Sequence, residues 1–511
     1  MSEPVALRLS GITRRFGDTV ANDDISLSLR RGEVLALLGE NGAGKTTLMS
    51  ILFGHYSADA GTVEVDGRPL PPGKPRAAIE AGVGMVHQHF SLAANLTVLE
   101  NVMTGTERLW RPRSGVAAAR RKLMALAERF ELRVDPDRRL GDLSVGEQQR
   151  VEILKALYNE ARILILDEPT AVLTPPEARH LYKTLRGMAR EGLSLIFISH
   201  KLHEVMDAAD RVVVLRRGRV IAERRPADTS KDELAELMVG RRITRPVRAP
   251  ATPGDVVLAA RDLSVPRAGG TGLERVSFTL RAGETLGIVG VSGNGQSALA
   301  QVMSGILAPG SGELTVLGRR ITRADVPAMV RAGVGRIAED RNHDGVVGEL
   351  TLWENATLER IGARRFSRAG VIDRGAARAF TAQVIDGFDV RGGGPDHRTQ
   401  LLSGGNVQKL ILGRNLIDAP KLLIAAQPTR GLDEGAIAAV HARLLEARAE
   451  GAAVLLISED LDEVIALADR IRAIVGGRLS PEIAAEDADA RRLGLMMAGD
   501  WGQPEAARHA V

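Results

Sequence analysis

The residues best suited to chemistry lie in Gly39 to Thr46, GENGAGKT, with Thr47 directly after them. The stretch fits G-x-x-x-x-G-K-[ST]. Glycines without side chains let successive backbone N–H groups curl round a phosphate, and the helix that follows adds its positive end. Such a cradle uses Gly39, Glu40, Asn41, Gly42, Ala43, Gly44, Lys45, Thr46 and Thr47. Lys45 would reach the β- and γ-phosphates and Thr46 would hold Mg²⁺. Downstream, ILILDEPT (Ile163 to Thr170) places two adjacent carboxylates after four apolar residues. Asp167, at the strand end, is placed to bind Mg²⁺ through water, and Glu168 to polarise an attacking water. LSVGEQQRVEI from Leu143 and LSGGNVQKLIL from Leu402 put Ser and Gly at a helix start, where a hydroxyl and free N–H groups can meet a γ-phosphate. Plainer roles also fit these pieces singly: an acidic helix cap at the strand end and an ordinary Ser N-cap.

The elements that must hold these groups follow from hydrophobic pattern. An apolar run, Val34 to Leu38, precedes the glycine loop, and Thr47 to Phe53 follows it as a helix. The half opens with short alternating strands, passes the loop, and runs through Ala117 to Phe130 at helical spacing. It closes on buried strands at Ile163 to Leu166, Ser194 to Ile198 and Arg211 to Leu215. A corresponding set recurs at Lys421 to Ala425, Ala453 to Ile457 and Arg470 to Val475. The expected class is α/β, with a parallel-sheet core and an inserted helical part in each half.

The chain is an internal duplication. Ser26 to Leu48 aligns without a gap on Ser277 to Leu299, at an offset of 277 − 26 = 251. LTVLEN (Leu96 to Asn101) answers LTLWEN (Leu350 to Asn355) at 254, and LSVG answers LSGG at 259. A repeat this long means two whole domains, expected at 1–240 and 256–500. A proline-bearing linker at 241–255 joins them and a tail covers 501–511. No apolar run approaches the length of a membrane helix. The net charge of +4 is spread without a long basic run, which argues against nucleic acid. With no cysteine, disulfides and thiolate metal sites are excluded. The N-terminus carries no basic-then-apolar signal, so a cytoplasmic chain is expected.

The ordered set of motifs resembles the ATP-binding cassette (ABC) family, with two tandem P-loop NTPase domains in one chain. The resemblance implies that Phe16 stacks on adenine, that Gln88 touches Mg²⁺ and a membrane partner, and that His200 senses the γ-phosphate. It also implies that Ser403, Gly404, Gly405 and Asp433 belong to a binding surface for ATP. The second half departs from the pattern: Arg267, Gln296, Glu339, Ala426, Gln427 and Glu459 stand where the first has Phe16, Lys45, Gln88, Asp167, Glu168 and His200. The first half departs in turn, with Val145 and Glu147 in its signature and Thr174 where the family has aspartate. Family cassettes pair head to tail, each ATP lying between one phosphate loop and the other signature. Under that geometry every intact element falls in one site and every defect in the other. A fused pair of this kind is similar to the motors of nucleoside and monosaccharide importers. That implies permease subunits in the membrane, an extracytoplasmic binding lipoprotein, and a peripheral position on the cytoplasmic face. GMVHQHFSL, SVGEQQRVEILKALY and LLIAAQPTRGLDEGAI look most like the nucleoside type, with a ribose- or galactose-like cargo as the alternative. A soluble twin-cassette factor acting on ribosomes is the more distant reading.

Overall fold

The computed structural model describes residues 4–40, 42–87, 91–105, 115–170, 173, 175–199, 201–240, 242, 246–250, 252–266 and 271–501. It forms two compact units, Met1–Ile243 and Thr244–Val511.

In the first unit the central sheet runs Arg219–Arg224, Arg211–Arg216, Val34–Leu38, Ser194–Ile198, Ile163–Asp167, Val83–Val86. All neighbours are parallel except the edge pair Arg211–Arg216 and Arg219–Arg224. Parallel strands are covered on both faces, and side chains alternate between them. Ala36, Leu164, Leu166, Phe197 and Val212 thus enter one core together with the helices Val98–Met103, Val116–Arg129 and Val145–Tyr158. Leu35, Leu37, Ile163, Ile165, Ile196 and Val213 enter the other. That second core is closed by the helix Lys45–Phe53 and by a four-stranded antiparallel sheet. The opening strands of that sheet, Val5–Phe16 and Thr19–Arg30, are 12 residues each, longer than the alternation predicts. Register shifts along their pairing carry the ladder through interruptions that break the period of two.

The second unit repeats the plan. Its sheet runs Val334–Ile337, Leu422–Ala426, Ala453–Ser458, Thr285–Val289, Arg470–Val475, Arg478–Leu479, the same strand order read from the opposite edge. Ile424 and Leu455 face one core, Leu423 and Leu456 the other. Part of the stretch expected as linker lies on this unit: Arg248 pairs with Asp469, and Arg448 donates to the Ala249 carbonyl at 2.9 Å.

Candidate functional site

In the first unit the strand Val34–Leu38 ends at the glycine loop, and the helix Lys45–Phe53 begins with no side-chain cap and no acidic residue in its first turn. No capping side chain or acidic residue on the helix itself therefore competes with an anion for its positive end. Gly44 has φ 96°, and a Cβ there would stand 2.2 Å from the Ala21 carbonyl oxygen, so only glycine fits. Asn22 fixes the same point by donating to the Gly44 carbonyl at 3.0 Å. The Lys45 ammonium, 7 % exposed, arches over the loop and donates to the Gly39 and Glu40 carbonyls at 2.7 and 3.0 Å.

The carboxylate pair meets this loop. Thr46 Oγ1 donates to Asp167 Oδ2 at 3.3 Å, which joins two hard oxygen donors suited to Mg²⁺. Burial pushes the Asp167 carboxyl above its ordinary range and the neighbouring Glu168 charge adds to this; the Thr46 hydroxyl and Lys45 charge pull it back. A divalent cation would relieve the repulsion between two such closely spaced carboxylates. Glu168 sits just past the strand with φ 48°, a left-handed conformation that side-chain-bearing residues adopt at a cost. Its N–H is held by the Ile198 carbonyl at 3.0 Å. Phe16 lies at a strand end, 42 % exposed, edge-on to Tyr56 at 5.5 Å between ring centroids, with the Arg14 guanidinium 4.8 Å from its ring. The ring is therefore exposed and braced by an aromatic edge contact and a cation–π contact. Asn41, Gln88, Thr174, His200 and Arg267 lie outside the described residues. Among those described, no group of three or more His, Cys, Asp or Glu could hold a metal ion.

The second unit keeps the frame and changes the chemistry. The helix Gln296–Met303 again starts uncapped at a left-handed glycine, Gly295. Gln296 replaces the lysine and turns inward: Nε2 donates to the Val291 carbonyl at 2.7 Å and Oε1 accepts from the Asn294 N–H at 2.9 Å. Ser297 donates to Glu339 at 2.9 Å, and Glu339 also pairs with Arg430 at 3.2 Å. Gln427 holds φ 47° and bonds its N–H to the Ile457 carbonyl at 2.7 Å, matching Glu168 in backbone alone.

The signature segments differ in the opposite sense. Ser144 caps Val145–Tyr158 in a reciprocal capping box with Glu147, so the plain N-cap role is the one found there. Ser403 makes no side-chain cap to Gly404–Leu416; its hydroxyl accepts from Asn406 Nδ2 at 2.9 Å. A Cβ at Gly404 would lie 2.7 Å from Arg341 Nη2, so the arginine side chain would have to shift to admit one. Asp433 caps the helix Glu434–Ala449 by accepting from the Ala436 N–H at 2.8 Å.

The profile of the ABC transporter family matches twice, over residues 22–171 and 273–430. The chain belongs to the ABC transporter family. A glucose import ATP-binding protein of Haloferax volcanii is 44% identical over 98% of this chain and 96% of its own length. A nucleoside import ATP-binding protein of Lactococcus lactis subsp. cremoris is 42% identical over 98% of this chain and 99% of its own. Among solved structures, an archaeal ribosome recycling factor in complex with a ribosomal stalk protein has a TM-score of 0.63. It covers 95% of this chain and 92% of that one, and at 18% identity the likeness is one of fold. Both halves of this ABC protein are thus tandem cassettes of the P-loop type, with parallel cores.

Sequence reasoning missed one residue that organises the first cassette. Glu204, 4 % exposed, accepts from Thr170 Oγ1 at 2.7 and 2.8 Å, from Tyr182 at 2.8 Å and from Ser199 at 3.1 Å, with Lys201 Nζ 3.4 Å away. Thr170 follows Glu168 by two positions, and Ser199 and Lys201 flank His200. Burial and the facing Glu204 charge push the Tyr182 hydroxyl well up, so it stays a donor. The available signal was the repeat itself: Glu463 holds the same position in the second cassette and accepts from Thr429 at 2.8 Å.

Proposed function

We propose that this protein is the ATP-hydrolysing subunit of an importer that moves nucleosides through partner membrane permeases. In this reading Phe16 stacks on the base, and residues 39–47 cradle the phosphates. Mg²⁺ is held by Thr46, Asp167 and the phosphates, with Gln88 nearby. Glu168 acts as the general base on the attacking water and His200 reports the γ-phosphate. The observation that carries the importer reading is end-to-end similarity to import ATP-binding proteins. The Thr46–Asp167–Glu168 arrangement supports Mg²⁺-dependent hydrolysis at the first loop. Ser403, Gly404, Gly405 and Asp433 complete that same site by head-to-tail pairing of the two halves of one chain. Support for the pairing is the sequence distribution of intact residues.

The partners are integral-membrane permease subunits and, through them, an extracytoplasmic binding lipoprotein. The chain works peripherally on the cytoplasmic face of the membrane, and among its described residues no helix is long and apolar enough to cross one. Nucleoside cargo rests on the resemblance of three segments and on Ala426 and Gln427 in place of an acidic pair. A monosaccharide cargo is the second reading, favoured by the glucose-importing relative. Uptake of labelled nucleosides, ribose, galactose and glucose in cells with wild type, no chain, or Glu168→Gln tests both. Loss of nucleoside uptake alone is expected. Loss of sugar uptake alone would replace the cargo and keep the motor, and unchanged uptake of all would remove the importer.

A further inference from the structure

We propose that the second cassette carries a binding site for a small zwitterion with an apolar body, a free aromatic amino acid, in a groove of about 400 Å³ on its surface. The phosphate loop of that cassette follows the last residue of Thr285–Val289. Lys421 and Ala452, in the groove wall, instead precede the first residues of the strands Leu422–Ala426 and Ala453–Ser458, which run parallel to it. The groove therefore lies at the opposite end of the sheet from the loop, and the proposal does not depend on which cargo is moved.

The duplication explains how the groove arises. In the first cassette the corresponding residues are large and paired: Asp66 holds Arg31 at 2.8 Å and Arg162 at 3.0 Å, and Arg129 reaches Glu191 at 2.7 Å. Met188 and Leu193 are buried in its core. At offsets of 251 to 259 along the repeat, Leu317 stands for Asp66, Ala282 for Arg31 and Gly387 for Arg129, while Ala447 and Ala452 stand for Met188 and Leu193. Ala282, Leu317, Ala447 and Ala452 all line the groove, and Gly387 precedes its wall residue Phe388. The backbone has not followed these changes. Asp66 and Leu317 have φ 48° and 50°, and Gly192 and Gly451, each just before the shortened floor position, have φ 98° and 100°. Side chains that shrink on a kept backbone leave a cavity.

The same changes leave two rim charges without partners. Lys421 and Glu450 stand where Arg162 and Glu191 are paired in the first cassette. Among the described residues neither side chain has a hydrogen-bond or ion-pair partner. The other charges of the lining, Arg443 and Glu446, pair with each other at 2.8 Å, and Arg443 also donates to the Gly387 carbonyl at 2.6 Å. One cation and one anion of the groove therefore remain open to a ligand. Between them Phe388, Leu416 and Ile417 supply apolar wall, and the Arg443 guanidinium, 4.7 Å from the Phe388 ring centre, braces that ring. The complement is a carboxylate for Lys421, an ammonium for Glu450 and an aromatic body against Phe388. The volume falls in the range of small-molecule sites, about 300–1,000 Å³.

The test is equilibrium dialysis of the full-length chain against labelled L-phenylalanine, with phenylacetate and phenethylamine as competitors that each carry one of its two charges. Saturable binding of one L-phenylalanine per chain is expected, each competitor being weaker by roughly threefold, the worth of one exposed ion pair. Ala447→Met combined with Ala452→Leu returns the side chains of the first cassette. That variant should bind no L-phenylalanine and keep ATP turnover within about twofold of wild type, since the groove is remote from the phosphate loops. If melting curves show it unfolded, Lys421→Met and Glu450→Gln, both at exposed positions, take its place, and each should weaken binding by roughly threefold. Wild type without saturable binding would overturn the proposal, as would full binding by the folded filled variant or by both rim variants. Phenylacetate that competes as well as L-phenylalanine itself would overturn the zwitterion as the ligand.

Discussion

The strands Ile163–Asp167 and Leu422–Ala426 are both fully buried, both end beside a left-handed residue, and both tie that residue's N–H to the neighbouring strand. One end carries Asp167 and Glu168, the other Ala426 and Gln427. A strained conformation costs of order 1–3 kcal/mol and persists only when the surroundings enforce it. Its survival at Gln427, where no carboxylate remains, means the sheet and the following turn enforce it, not the carboxylate. Backbone geometry and reactivity are therefore separable in this fold. The second cassette keeps the backbone that positions Glu168 in the first and lacks its carboxylate.

The sharpest way to break this comparison is to exchange the side chains. Glu168→Gln should lower ATP turnover by about two to four powers of ten, as loss of a general base does. Gln427→Glu, which lands on an equivalent backbone, should change turnover less than about twofold. A large gain there, in a steady-state phosphate-release assay, would mean the second cassette needs only its base. The next contrast is Lys45→Gln, which gives the first loop the residue of the second. Losing charge-assisted bonds of about 1.5–3 kcal/mol should weaken ATP binding by roughly ten- to a hundredfold, read by titration with a fluorescent nucleotide. Unaltered affinity would show that the backbone cradle alone holds the phosphates.

A smaller effect separates Glu204 from its counterpart Glu463. Both are buried acceptors beneath a strand-end threonine. Glu204 also binds Ser199 and Lys201, whereas Glu463 gathers His441 at 3.1 Å and faces Asp460, whose carboxyl is pushed up by burial and by Glu463 itself. Glu204→Gln should lower kcat roughly tenfold with KM for ATP nearly unchanged, because it loosens the segments on either side of Glu168 and His200 without touching the loop. Glu463→Gln should soften its cassette to a similar degree and leave kcat within about twofold. Equal losses of kcat from the two would reduce Glu204 to a structural acid.

What sequence could show of this follows from the range of each interaction. The glycine loop, the strand-end carboxylates and the signature helices are contiguous motifs, and residues 163, 194, 211, 422, 453 and 470 lie at or within a residue of the strand starts expected there. The helix expected at 117–130 is found at Val116–Arg129. Hydrophobic alternation carries this information because both faces of each sheet are buried. Contacts between distant residues were not legible. Thr170 and Glu204 are 34 residues apart, and nothing local marks them as partners. Tyr56 beneath Phe16 is equally remote along the chain. Glu147 was visible as a departure from the family, but S-x-x-E was also present as a capping box, and that pattern says what the substitution does.

The capping box supplies the smallest contrast, in which stability and activity should change places. Ser144→Ala removes a working N-cap and should cost about 1 kcal/mol in urea unfolding. Ser403→Ala removes a hydroxyl that caps nothing and should cost less than about 0.5 kcal/mol. Turnover should rank the other way, falling for Ser403→Ala and holding for Ser144→Ala. The pH dependence has a definite sign. Glu147 is held below the ordinary glutamate value of about 4.5, so its contribution is fully present above that pH and is lost as pH falls through the lower folded value. The stability gap between wild type and Ser144→Ala should therefore be constant near neutrality and narrow below about 4.5, while the Ser403→Ala gap stays flat. A Ser144 gap that persisted in acid would mean the serine caps without its carboxylate. The Glu147 half of the reciprocal box would then add nothing to the start of that helix.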